Sequence, residues 1–235
     1  MAASELILLV KRKMKIFIIV LIVLTILVAD ITSCRKKSSA SISDKGAIQN
    51  GKKVWTFDAD KTGIIPKGFT NVFGEWQVVV DNSSHSNPNV LAQLAKSSSM
   101  TFNFTLIGDT DYKDIDISVQ IKAVGGSEDQ GGGLVWRAKD AKNYYIARYN
   151  PLEENYRVYK VEDGKRSRLQ DVNIKYNDGW HTLRVTITGN HIECFYDSKK
   201  YMDVNDSTFQ ESGKIGLWIK ADAQTHFDDL TVIVK

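Results

Sequence analysis

The stretch 114-DIDISVQIK-122 decides the fold class of this chain. Ile115, Ile117, Val119 and Ile121 alternate with polar side chains without a break. Because successive side chains of a strand point to opposite faces, this period of two is typical of an antiparallel strand with one buried face and one face in water. No long segment of the domain keeps the spacing of an amphipathic helix. The stretch therefore predicts an all-β fold.

Short apolar runs continue on both sides of this strand, separated by turn sequences. Asp163-Gly164 and Gly189-Asn190 are dipeptides that favour tight hairpin turns. Many short strands joined by such turns predict two packed sheets, since stacking covers one face of each sheet. We predict that residues 54–235 form a two-sheet antiparallel sandwich of the jelly-roll type.

The N-terminal segment has the features of a secretory signal. A basic cluster, Lys11–Lys15, precedes an apolar run that is shorter than the about 20 residues of a membrane-spanning helix. The residues that follow, 31-ITSC-34, resemble a bacterial lipobox. We predict a lipoprotein signal peptide, with a signal helix, at residues 1–33 and lipidation of Cys34.

Residues 34–53 are polar and rich in Ser, Lys and Gly, which predicts a flexible tether between a lipid anchor and the sandwich. Translation starts at Met1 or at Met14, because the apolar run follows both. We expect a protein of the bacterial cell envelope, lipid-anchored to a membrane on the periplasmic or the cell-surface side.

The charge of the chain excludes one class of partner. Lys and Arg number 31 against 28 Asp and Glu, which gives a net charge of +3. Two of these three charges lie in residues 1–33, so the sandwich itself is nearly neutral. A nearly neutral domain lacks the basic surface that binds the phosphate backbone, and we predict no nucleic-acid partner.

A hairpin around residues 148–160 predicts a cluster of polar side chains. Arg148 and Asn150 share one face of a strand, and the loop 151-PLEE-154 reverses the chain. Guanidinium and amide groups bind vicinal sugar hydroxyls or a sugar acid. A solvated hairpin with cross-strand ion pairs explains the same pattern. The candidate ligand-binding residues here are Arg148, Asn150, Glu153, Asn155, Arg157 and Tyr159, with Glu153 and Glu154 as candidate catalytic carboxylates.

Aromatic side chains on neighbouring strands are candidates for a sugar platform. A sugar ring stacks on indole or phenol because these groups combine a rigid apolar face with a polar edge. Trp136 and Trp218 are such candidates, and Lys220 and Asp222 accompany Trp218. We expect Trp218 to be exposed because charged residues follow it. Packing in the sandwich core is the alternative for each aromatic side chain.

Several motifs carry a resemblance to a known family. They are 131-GGGLVWR-137, 143-NYYIAR-148, 179-GWHTLR-184, 213-GKIGLW-218 and 227-FDDL-230. Together they resemble bacterial 3-keto-disaccharide hydrolase-type and laminarinase-like domains of the concanavalin A-like lectin/glucanase superfamily. The third and the last motif also resemble laminin G-like sandwiches. The resemblance implies a concanavalin A-like sandwich and a glycan or oligosaccharide as partner.

The resemblance leaves three functions open. The first is a membrane-anchored lipoprotein whose sandwich binds carbohydrate. The second is a glycoside hydrolase that acts on 3-keto-disaccharides or glucans, and the third is an adhesive, protein-binding laminin G-like domain. We favour binding, because the sequence lacks the Glu-x-Asp-x-x-Glu strand of laminarinase-type enzymes.

Carboxylates near both ends of the domain are candidates for a structural calcium ion. In many carbohydrate-binding sandwiches such an ion joins the first strand to the last. Asp58 ends the first predicted strand, and Asp228 and Asp229 open the last one. Calcium takes about six to eight oxygen ligands, so these carboxylates supply part of a site. Solvated turn carboxylates are the alternative.

Overall fold

The computed structural model describes residues 51–235, which form fifteen β-strands and no helix. The strands are β1 Lys52–Trp55, β2 Phe69–Phe73, β3 Trp76–Val80, β4 Asn89–Gln93, β5 Phe102–Ile107, β6 Ile115–Gly125, β7 Gly132–Asp140, β8 Asn143–Asn150, β9 Asn155–Glu162, β10 Lys165–Asn173, β11 His181–Thr188, β12 His191–Tyr196, β13 Lys199–Asn205, β14 Lys214–Lys220 and β15 Gln224–Val234. Within these residues, nothing has the length and hydropathy of a membrane-spanning helix.

The strands form two antiparallel sheets. The first sheet has the order β13-β12-β11-β6-β15-β4-β3, and β1 also pairs with β15. The second has the order β10-β9-β8-β7-β14-β5-β2. Side chains from both sheets share one large hydrophobic core. The predicted all-β, two-sheet antiparallel sandwich is confirmed.

The stretch that predicted the fold lies in β6, between β11 and β15 of the first sheet. Its four aliphatic side chains, Ile115, Ile117, Val119 and Ile121, are at most 1% exposed. The residues between them are partly exposed, so the alternation in sequence is the alternation of burial. Burial of each such side chain contributes about 1.5–3 kcal/mol relative to exposure.

The second sheet sends alternate side chains of β7 and β8 into the same core. Trp136 is fully buried there, and its ring lies 5.5 Å from that of Tyr145 in a stacked arrangement. The expectation that Trp136 forms a sugar platform is therefore wrong. The alternation of the strand directs this indole between the sheets, where no ligand on the outer face reaches it.

The outer face of the second sheet carries a second apolar cluster. Because of this cluster, β8 is buried on both of its faces. Arg148 and Asn150 lie at the C-terminal end of β8, after the apolar residues of this strand that point to the outer face. The members of the cluster are Phe104, Leu106, Val135, Ala138, Tyr144, Ile146, Val161 and Trp218.

The structure differs from the sequence-based expectation in one boundary and in one additional strand. The sandwich begins at Lys52, inside the predicted tether, because β1 pairs with β15 from that residue onward. Strand β2 was not predicted: it is an edge strand with a register shift against β5, and its burial does not alternate. The predicted signal peptide, Cys34 and most of the tether lie outside the described residues.

Candidate functional site

The hairpin of β8 and β9 brings the predicted polar side chains together. Arg148 lies opposite Arg157 across the two strands, and Asn150 lies opposite Asn155. These side chains point to the outer face of the second sheet, because the alternating neighbour Tyr149 packs in the core between the sheets. The register of the hairpin thus gathers two guanidinium and two amide groups on one surface.

A buried carboxylate from another part of the chain lies at the centre of this surface. Asp129, in the loop between β6 and β7, is fully buried. Its Oδ1 accepts hydrogen bonds from Arg148 Nη2 at 2.5 Å and from Asn150 Nδ2 at 3.2 Å. Its Oδ2 lies 3.2 Å from Lys220 Nζ. Since a buried charge is stable only with partners, the two cations and the amide keep this carboxylate in place.

Asp222 holds the loop that carries Asp129. Its carboxylate accepts hydrogen bonds from the backbone N–H groups of Ser127, Glu128 and Asp129 at 2.7, 3.0 and 3.1 Å. Desolvation works to raise the pKa of Asp222, but these hydrogen bonds outweigh it and lower the pKa to about 2. The loop begins at Gly126 with φ +130°, where a Cβ would collide with the carbonyl oxygen of Asp129. Asp222, a predicted ligand-binding residue, instead positions the buried carboxylate.

The loop carboxylate Glu153 joins the cations of both strands. Its Oε2 accepts hydrogen bonds from Arg157 Nη1 at 2.8 Å and Asn155 Nδ2 at 2.9 Å, and lies 3.6 Å from Arg148 Nη1. Burial works to raise the pKa of Glu153, but Asn155 and the two guanidinium groups hold it below the ordinary value. An ionised carboxylate accepts hydrogen bonds or a proton, and it is a poor general acid.

Arg166 of β10 lies over the aromatic side chains of this surface. Its guanidinium carbon is 4.4 Å from the ring centroid of Tyr159, 5.1 Å from that of Phe102 and 5.6 Å from that of Trp218. Cation–π contacts of this kind contribute about 0.5–2 kcal/mol each. Trp218 lies on the outer face of the second sheet but is fully buried, so the expectation that it is exposed is wrong.

The rim of the surface carries more exposed contacts. Asp171 Oδ1 lies 3.1 Å from Arg157 Nε, and its Oδ2 accepts a hydrogen bond from Arg168 at 2.7 Å. Glu154, the other candidate catalytic carboxylate, is set apart from the cluster. It accepts a hydrogen bond from the backbone N–H of Tyr176 at 3.3 Å.

On this surface Asp129 Oδ2 and Arg157 Nε are buried with ion-pair partners only, and the indole Nε1 of Trp218 is buried without a hydrogen bond. Three further buried polar atoms have neither a hydrogen bond nor an ion pair among the described residues. They are Arg148 Nε, Asn155 Oδ1 and Arg166 Nη1. A buried polar atom without a partner destabilises a protein by about 1–3 kcal/mol, so folded proteins seldom keep several together. Two donors and one acceptor on one surface are the complement of a polar ligand.

Sequence reasoning missed Asp129 and Arg166. Arg166 could have been predicted, because the Asp163-Gly164 turn places it opposite Val161, which is on the same face as Tyr159 and Arg157. Asp129 could not have been predicted, because a loop sequence does not indicate which distant strand its carboxylate will contact.

The three predicted calcium ligands do not form a three-ligand group. Asp228 is fully buried, and both of its oxygens accept hydrogen bonds from Ser86 Oγ, at 2.9 and 3.0 Å. Burial raises the pKa of Asp228 to about 7, with smaller contributions from the charges of Asp229 and Asp58. The charges of the three carboxylates therefore affect one another. Their oxygen atoms do not, however, all lie within 4.8 Å of one another, as the ligand atoms of a metal site would.

One group of described residues has that geometry: His191, Glu193 and Asp203, on β12 and β13, whose ligand atoms lie within 4.8 Å of one another. Lys200 already pairs with both carboxylates, at 3.0 Å from Glu193 and 2.8 Å from Asp203. These side chains are partly exposed, and an internal cation already balances their charge. A calcium ion stays a prediction.

The amino-acid sequence matches one described family over nearly all of the sandwich. The profile of the 3-keto-alpha-glucoside-1,2-lyase-like domain covers residues 47–233. The levanase of Bacillus subtilis (strain 168) is 28% identical over 190 residues, which are 77% of this chain and 24% of the levanase. The chain thus spans about a quarter of the length of that relative.

Solved structures show the same fold. The carbohydrate binding module CBM66 from Bacillus subtilis superposes with a TM-score of 0.60 at 23% identity, over 71% of this chain and 95% of the module. A Bacillus subtilis protein of unknown function with a galectin-like fold superposes with a TM-score of 0.52 at 12% identity, over 72% of this chain and 91% of its own.

Proposed function

We propose that this chain, which belongs to the family of 3-keto-alpha-glucoside-1,2-lyase-like domains, binds saccharides on the outer face of its second sheet. The relatives support the class of ligand: one is a levanase, and another is a carbohydrate binding module of the same fold. The fold alone does not choose between ligands, so the proposal rests on the chemistry of this surface.

The observation that carries the proposal is the set of buried, unpartnered atoms Arg148 Nε, Asn155 Oδ1 and Arg166 Nη1. A saccharide offers donors and acceptors on every carbon that bears a hydroxyl, so it satisfies donors and acceptors at once. The buried ion pair of Asp129 and Arg148 holds one of these donors in place before a ligand arrives. Preorganised groups of this kind lose little entropy on binding.

The proposal is tested by a glycan array and by calorimetric titration with the chain and two matched variants. Asn155→Ala removes the unpartnered acceptor, and we expect about a tenfold loss of affinity, since one lost hydrogen bond is worth about 1.4 kcal/mol. Asn173→Ala is the control, because Asn173 is exposed and lies opposite Asn155 on β10. Equal affinities for both variants, or no glycan bound by the parent chain, would refute the proposal.

A second candidate function is lyase or hydrolase activity, which the family description favours. Glu153 is the carboxylate best placed for it, because it is held ionised beside the unpartnered groups and so could accept a proton. Turnover of a 3-keto-α-glucoside that disappears in Glu153→Gln and persists in Glu154→Gln would establish an enzyme. Binding without turnover would leave a saccharide-binding domain.

Membrane anchoring through Cys34 is a further part of the proposal. It rests on the basic and apolar N-terminal segment and on the lipobox-like residues that follow it. Expression of the full chain in a bacterial host should give a detergent-phase protein whose N-terminal peptide carries the mass of a diacylglyceryl cysteine. Cys34→Ser should move the protein to the aqueous phase, and no such shift would refute the anchor.

A further inference from the structure

The outer face of the second sheet carries an excess of positive charge. Its three carboxylates are Asp129, Glu153 and Asp171, and they pair with four cations of neighbouring strands. Arg166 adds a fifth cation and takes part in no ion pair of the described residues. Five cations stand against these three carboxylates and that of Asp222, which holds the loop of Asp129, so one positive charge of this surface has no carboxylate to balance it.

Arg166 is the cation with the least compensation. Its guanidinium carbon lies over aromatic rings, the nearest being that of Tyr159 at 4.4 Å. Aromatic rings occupy the faces of a guanidinium group, but hydrogen bonds form at its edge. On that edge, Nη1 is buried and has no partner among residues 51–235. A partly buried cation with a free edge is the complement of an anion.

We infer, on the basis of the saccharide-binding function proposed above, that the ligand is an acidic saccharide whose carboxylate binds to Arg166. A planar carboxylate matches the fork of a guanidinium group and neutralises part of the excess charge. Arg148 contributes the second unpartnered cationic donor, its Nε. Arg166 is therefore the residue that determines specificity for a uronic acid over the corresponding neutral sugar.

Two hydrogen-bond acceptors on the same surface indicate that the anionic group is part of a saccharide. Asn155 Oδ1 is an unpartnered acceptor and Glu153 is an ionised carboxylate, and both accept hydrogen bonds from hydroxyl groups. A ligand with anionic oxygens alone would be repelled by Glu153 and would leave the Asn155 acceptor unused. A uronic acid offers hydroxyl donors and a carboxylate within one ring.

The test uses paired oligosaccharides in calorimetric titrations with the full chain. Oligomers of galacturonic acid and of glucuronic acid are each compared with their carboxyl-reduced, neutral forms. We expect at least one acidic oligomer to bind about tenfold or more tightly than its neutral partner, because the neutral form cannot make the charge-assisted hydrogen bonds to Arg166. Added salt should reduce this preference.

Variants of β10 assign the preference to one side chain. Arg166→Met keeps an apolar stem against the rings and should abolish the preference for the acidic form, whereas Arg166→Lys should keep part of it. Lys165→Met is the matched control, since Lys165 is an exposed cation of the same strand that takes no part in the ion pairs of this surface. If Arg166→Met does not fold, the decrease in the preference for the acidic oligomer from the parent to Arg166→Lys tests the same point.

The outcomes separate this inference from the function on which it rests. A preference that is lost in Arg166→Met and kept in Lys165→Met supports the inference. Equal or tighter binding of the neutral oligomers overturns it and leaves saccharide binding intact. Absence of binding to every oligosaccharide, acidic or neutral, overturns both.

Discussion

Asp129 and Asp228 are both fully buried carboxylates, yet their surroundings differ in charge. Asp129 lies on the outer face of the second sheet, within 3.2 Å of cationic nitrogens of Arg148 and Lys220. Asp228 lies in β15 of the first sheet and contacts Ser86 Oγ and the backbone N–H of Asp229. Among the described residues no cation pairs with Asp228, and burial raises its pKa to about 7.

The difference shows two ways in which a β-sandwich accommodates a buried carboxylate. Where cations are available, the carboxylate pairs with them and organises them, and this happens at the candidate saccharide site. Where the neighbours are hydroxyl, amide and acidic groups, the protein favours the protonated form as pH falls towards neutrality.

The largest effect is expected for Asp129→Asn. The change leaves Arg148 and Lys220 without their buried counter-ion, and removing one partner of a buried pair destabilises a fold by about 3–5 kcal/mol. Urea unfolding at neutral pH measures this loss. Glu128→Gln, in the same loop, is the control and should change the free energy of unfolding by less than about 0.5 kcal/mol. A small loss in Asp129→Asn would show that the pairing contributes little.

A change of opposite sign is expected for Asp228→Asn. Because the folded pKa of about 7 lies above the ordinary value of 3.8, the folded state binds more protons than the unfolded state between these values. Stability therefore falls as pH rises from 4 to 7, and an amide avoids a loss of about 2–4 kcal/mol above neutrality.

Thermal melts from pH 4 to 8 in the presence of a chelator measure this effect. The variant should melt at higher temperature than the parent at pH 8, and the two curves should converge near pH 4. A flat profile for the parent would contradict the raised pKa. Addition of calcium sharpens the comparison, since a rise in melting temperature that requires Asp228 would support the predicted ion.

A smaller effect is expected for Asp222→Asn, which weakens the support of Asp129. The pKa of Asp222 is lowered to about 2, so its contribution is present above about pH 4 and disappears as pH falls towards 2. Since Asp222 is partly exposed, we expect a loss of about 1 kcal/mol at neutral pH. The difference between parent and variant should shrink from pH 4 to pH 2, where the Asp222 carboxylate is about half protonated in the folded state; a difference that stays constant over this range would refute the assignment.

The smallest effect is expected for Asp203→Asn, in the exposed group with His191 and Lys200. Exposed ion pairs contribute little to stability because water screens them, and Lys200 keeps Glu193 as a partner. The midpoint of urea unfolding should therefore stay at that of the parent. A lower midpoint would show that this exposed group stabilises the fold, as the buried Asp129 is expected to do.

Much of the fold was accessible from local sequence. The alternation in β6 and the turns at Asp163-Gly164 and Gly189-Asn190 predict strands whose buried faces the structure confirms. The face shared by Arg148 and Arg157 was likewise accessible, because a hairpin register fixes which side chains lie opposite each other. Strand β2 was missed because its burial does not follow a period of two.

Local sequence is enough to specify that the chain alternates its side chains across strands and reverses direction in tight turns, because both signals lie within a few residues. It does not specify that Trp136 faces the core, that Trp218 is buried on the outer face, or that Asp129 reaches Arg148. These outcomes depend on which distant strand covers a face, and that packing is a property of the assembled sheets rather than of any single segment.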